Sequence, residues 1–138
     1  MNSVAEDIKD LLVAQGTGTY AGTDDNAWAI FIVEEPPRPN QTITLYNTTS
    51  RDQGIKNSAK PYLGSGFQVR VRGVTDASTY AKAREVLEFL DRRAAFSASG
   101  AAYNRIVTTE KEPLFLTQDE NHRFVYVFNG IAHRRATG

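Results

Sequence analysis

The side chains best placed to do chemistry are Arg70 and Arg72, in the run Phe67-Gln-Val-Arg-Val-Arg-Gly73. Strand alternation puts Phe67, Val69 and Val71 on one face, and Gln68, Arg70 and Arg72 on the other. A guanidinium presents a planar fork of donors that fits carboxylates, and arginine is enriched at interface hot spots. The pair with Gln68 is therefore a candidate for contact with a neighbouring subunit. The bland alternative is that the stems pack over the domain's own surface with the charges in solvent. A second basic set, Arg51, Lys56 and Lys60, falls in a polar stretch, where it would face a charged partner or simply water. A third, His133-Arg134-Arg135, sits near the C-terminus as an exposed contact or a flexible tail.

Other groups carry weaker chemistry. Asp119-Glu120-Asn121 suits a turn, and calcium would need more converging oxygens. His122 and His133 lie far apart with no local zinc spacing. Gly16-Thr-Gly18 lacks the spacing and the lysine of a phosphate loop, and it follows a helix pattern rather than a strand. No serine has the setting of a nucleophile elbow. Trp28 and Tyr46 read as packing residues. The expectation is a protein without catalysis, cofactor or metal.

Composition narrows the partners. Sixteen basic and sixteen acidic side chains cancel in a 138-residue chain that is 41% apolar. That balance opposes a disordered polyelectrolyte and removes the global positive field of a protein that wraps nucleic acid. There is no cysteine, which excludes thiol chemistry and disulfides. No run approaches the roughly 20 apolar residues of a membrane span, and acids at Glu6 and Asp7 oppose a signal peptide. The expectation is one soluble domain over 1–138, kept inside a cell, with no membrane partner.

The elements that would position these groups follow from periodicity. Ser3 and Glu6 have capping-box spacing, Val4, Ile8, Leu11 and Leu12 form an apolar stripe, and Gly16 is a stop, so 3–15 reads as a helix. Trp28 to Val33 reads as a strand, broken by Pro36-Pro-Arg-Pro39. Thr42 to Tyr46 is a second strand and Phe67 to Val74 a third, with a long polar loop expected over 47–66. Asp76 to Arg93 reads as a helix capped by Asp76, with Tyr80, Ala83, Val86, Leu87 and Leu90 inward and a Glu88–Arg92 pair outside. Strands follow at 103–109, 114–117 and 122–129, the last apolar on both faces. The fold class is α+β: a mixed, mostly antiparallel sheet with two helices packed on one face, in the order α-β-β-β-α-β-β-β.

In that order the chain resembles the tail terminator or minor capsid (tail completion, head–tail joining) proteins of long-tailed bacteriophages. The helix Val4–Leu12, the aromatic strand at Trp28, Ile43-Thr-Leu-Tyr46, Phe67–Gly73 with the helix from Tyr80-Ala81, Pro113-Leu-Phe-Leu116 and Arg123-Phe-Val-Tyr-Val-Phe128 carry it. The resemblance implies a virion protein at the head-proximal end of the tail, assembled in the bacterial host cytoplasm. It implies a homo-oligomer, a hexameric ring, between the major tail-tube protein and the head–tail connector protein. DNA would pass through the lumen without base-specific binding. Arg70, Arg72 and Gln68 would then lie at a subunit interface, Arg51, Lys56 and Lys60 at the lumen or tail tube, and His133 to Arg135 at the connector. A head-completion protein, a nucleic-acid-binding module using the sheet face, and a small-molecule enzyme in a sheet–helix cleft are the alternatives.

Overall fold

Helix α1 (Val4–Gln15) begins where Ser3 accepts a hydrogen bond from the Glu6 amide at 3.3 Å and ends on Gly16 at φ +82°. In the computed structural model, which describes residues 1–52 and 63–136 (backbone only at 50–52), the chain continues through β1 (Thr19–Tyr20), β2 (Ala29–Ile32), β3 (Thr42–Asp52) and β4 (Leu63–Gly73). Then come α2 (Asp76–Leu90), β5 (Phe96–Ala98), β6 (Ala101–Thr108), β7 (Leu114–Gln118) and β8 (Phe124–Ala136). The class is α+β with the order expected, augmented by the two short strands β1 and β5. No helix among the described residues is long and apolar enough to cross a membrane.

The strands form one mixed sheet in the order β1-β2-β3-β4-β8-β6-β5, with β7 also paired to β8. β1, β2 and β3 run parallel, and the remaining pairings are antiparallel. The spine is β4 against β8, in register from Leu63–Arg134 to Gly73–Phe124. β8 is long enough to hold two neighbours on its other edge, β7 along its first half and β6 along its second.

One face carries the core. Phe67, Val69 and Val71 of β4, Ile43 and Leu45 of β3, and Tyr126 and Phe128 of β8 join Val4, Ile8 and Leu12 of α1 and Val86, Leu87 and Leu90 of α2 in a single buried cluster. Each large side chain so buried is worth about 1.5–3 kcal/mol. Val125 and Val127 point the other way and are also buried, as the doubly apolar pattern of this strand predicts.

The hairpin is longer than the sequence pattern suggests. Residues 47–52 and 63–66, expected in a loop, extend β3 and β4, so only 53–62 separates the strands. Asn47, Ser50 and Ser65 belong to no apolar stripe but pair in the ladder. A bulge between Asn47 and Ser50 brings β3 so close that a Cβ on Gly66 would sit 2.3 Å from the Thr48 hydroxyl oxygen. Glycine is what fits.

The second helix also differs at its ends. Thr75, not Asp76, is its N-cap, accepting from the Ser78 amide at 3.3 Å. The helix stops at Leu90, and Arg92 has φ +55°. Glu88 pairs instead with Arg84, one turn earlier, at 2.8 Å.

Candidate functional site

β2 and β3 are parallel neighbours, so residues 33–41 must cross from the end of one to the start of the other. That crossing is a proline-rich strap, and the polar face of the sheet holds it. Arg72 is buried at 3% exposure. Its Nη1 donates to Glu35 Oε1 at 3.1 Å, and its Nη2 donates to the Pro36 and Pro39 carbonyls at 2.7 and 2.8 Å. Arg70 Nε lies 2.7 Å from Glu35 Oε2. Just before β8, Arg123 Nη1 donates to the Pro37 carbonyl at 2.6 Å, while its Nε pairs with Asp119 at 2.8 Å. Prolines supply carbonyl acceptors and have no amide to satisfy. Three arginines thus fix a strap that cannot form a ladder of its own.

The electrostatics follow from this geometry. Burial pulls the Arg72 pKa below the ordinary arginine value; Glu35 opposes the shift and the Arg123 charge adds to it. Arginine nevertheless stays charged at neutral pH. Burial pushes the Tyr46 phenol up, and Glu35 pushes it further. For Asp119 burial acts upward, but the Arg123 amide and guanidinium outweigh it and leave the carboxyl below its usual range.

The expected site residues do not form one site. Gln68, Arg70 and Arg72 share a face, as alternation predicts. Arg70 is 30% exposed at its side chain, whereas Arg72 is consumed within its own chain. Gln68 donates to Asn129 Oδ1 at 3.1 Å, and Glu110 holds Asn129 in place. Lys56 and Lys60 lie outside the described residues, as does the side chain of Arg51, whose backbone pairs with Gly64.

His133, Arg134 and Arg135 are not a tail. They continue β8 because their backbones pair with β4 and β6. Arg134 is buried, donating to the Asn2 carbonyl at 2.6 Å and to Tyr103 Oη at 3.2 Å, with Asp7 Oδ2 at 3.5 Å. Tyr103 and Ser99 both donate to Asp7. This latch ties the start of α1 to the end of β8. His133 is half-buried, and burial, then Arg105, hold its pKa below the ordinary value.

Sequence reasoning missed Glu35, Arg123 and Asp7. Only Glu35 had a usable signal, an acid directly before a proline cluster and a few residues from the arginine-bearing strand's neighbour. The other feature missed is exposure: β7, read only as a strand, leaves Leu114, Phe115 and Leu116 half in solvent. A hollow of about 530 Å³ lies on the strap side, lined by Phe31, Glu34, Glu35, Pro36 and Pro37. Among the described residues no three metal-ligating side chains converge.

Comparison with known proteins places these features. A family model described as bacteriophage tail terminator protein matches residues 4–134. No curated protein matches the chain. The fold is similar to a chain in the virion of a native gene transfer agent particle, at 13% identity and TM-score 0.51 over 78% of each chain.

Proposed function

The chain belongs to the bacteriophage tail terminator family, and from that premise we propose that it is a non-catalytic subunit of a ring that ends the tail tube. As a member of that family it is a structural protein of a phage virion. In the proposed reading six copies close the ring at the head-proximal end of the tail. One side contacts the major tail-tube protein and the other the head–tail connector protein. DNA passes through the lumen without base-specific contacts. Assembly takes place in the bacterial host cytoplasm. The observation that carries this reading is the family match across 4–134, nearly the whole chain.

The sheet geometry supports a scaffold over a nucleic-acid module. A sheet that stacks bases needs exposed aromatics beside free cations. Here Phe128 is buried under the helices, and Arg70 and Arg72 share the carboxylate of Glu35. Their charge is spent on the strap.

Gold-labelled protein imaged in intact particles tests the placement. The expected result is one label cluster per particle at the head-proximal tail end. Label along the tube, at the distal tip or within the connector itself would contradict it, the last in favour of a head-completion role.

A further inference from the structure

Two uncovered apolar surfaces lie on opposite edges of the sheet. On one edge, β7 pairs with β8 on a single side, and Leu114, Phe115 and Leu116 are 51%, 56% and 50% exposed. A lone exposed leucine is ordinary, but three apolar residues on a strand edge that is unpaired among the described residues invite a partner. On the other edge, Val33 is 56% exposed at φ +67°. That conformation is unusual for a β-branched residue. Beside it opens the hollow between Phe31 and the strap prolines.

The register sets the two surfaces at one height. Phe31 pairs with Thr44, Thr44 with Arg70, Arg70 with Val127, and Val127 with Leu114. Paired residues project to the same face of a sheet, so Leu114 points to the face that carries the strap. A knob on one edge and a hollow on the other, level and on the same face, suit a head-to-tail contact between copies.

The charges agree in direction. β7 is antiparallel to β8, and the chain of pairings makes it antiparallel to β2 as well. Lys111, in the loop before β7, lies towards the end of β2; it is 61% exposed at its side chain and has Asp91 of its own chain at 3.6 Å, whereas Glu34 has no ion pair among the described residues. This rim pair is of opposite sign.

We propose that β7 of one copy docks against the strap edge of the next, with Leu114 seated in the Phe31–Pro37 hollow and Glu34 facing Lys111. The occupant is a second copy of this chain, repeated around the ring. This contact rests on the oligomeric reading above. The internal anchors of the strap then acquire a purpose: Arg72 and Arg123 hold rigid the surface that a neighbour reads.

The chain has no cysteine, so engineered thiols report cleanly. The test uses Val33→Cys and Leu114→Cys, singly and together, in full-length protein under mild oxidation. It is run on concentrated purified protein and on particles from phage lacking the gene and complemented with each variant. The double variant is expected to give a disulfide ladder up to the ring number. Mixed single variants should give dimers only, and neither single variant should cross-link alone. Glu34→Lys should weaken self-association about twofold to fivefold, and adding Lys111→Glu should restore it. Homodimers from Leu114→Cys alone would overturn the contact in favour of edge-to-edge pairing. No ladder in either preparation would overturn it as well. Wild-type complementation is scored separately by tail length, so capped tails without a ladder sink this contact and spare the capping reading.

Discussion

On one face of β4, Phe67, Val69 and Val71 meet the apolar stripes of two helices. One residue away along the same strand, Arg70 and Arg72 meet a carboxylate and a set of proline carbonyls. The first cover is non-directional and scales with buried area. The second depends on each donor finding its acceptor, because a buried charge left unpaired costs far more than a pair contributes. One strand therefore carries two kinds of stability. The helix face holds the fold, and the strap face shapes a surface.

The largest expected effect breaks the helix face. Phe67→Ala should cost about 3–5 kcal/mol in denaturant unfolding, the usual range for an emptied aromatic site. Phe67→Leu should cost much less. Gly130 lies so close that a Cβ there would come 2.4 Å from the Phe67 ring, so Gly130→Ala should also destabilise, through overpacking. Next comes the strap. Glu35→Gln removes the charge facing both arginines and should cost about 2–3 kcal/mol. It should also speed proteolysis within 33–41 while leaving α2 protected from amide exchange. Equal loss of protection on both faces would erase the distinction drawn between them.

How much of this was legible depended on which cover a residue belongs to. α2 and the inward face of β4 could be read because apolar side chains repeat at 3.6 and 2.0 residues. The N-cap moved from Asp76 to Thr75 because Thr75, Asp76 and Ser78 offer competing acceptors. Asp76 instead accepts from Tyr126 Oη at 2.6 Å. The strap was visible only as a break. Proline carbonyls are acceptors at every position, so nothing in Pro36 to Pro39 announces that Arg72 and Arg123 will reach them. The same holds for the latch, where Asp7 on a helix meets Arg134 across almost the whole chain. Long-range polar contacts leave no period in a sequence.

Smaller effects sharpen the comparison further. The hydrogen bond to Asp76, then burial, push the Tyr126 phenol up to about 12. Its unfolded value is near 10, so its contribution is complete below pH 10 and lost as pH rises towards 12. Tyr126→Phe should cost about 1 kcal/mol near neutral pH and flatten the alkaline loss. His133 works in the opposite direction. Its folded pKa is depressed, so the folded state resists protonation. Stability should decline as pH falls below about 6.5 until the folded value is passed. His133→Gln should remove that small acid-side decline, measured by thermal melts from pH 7 to 5.

The central claim is that this chain ends the tail. Electron microscopy of particles made without the gene, and with it restored, measures that most directly. The account predicts overlong, unjoined tails of scattered length without the protein, and a single sharp length of joined tails with it. Uniform tails of normal length in its absence would contradict the account.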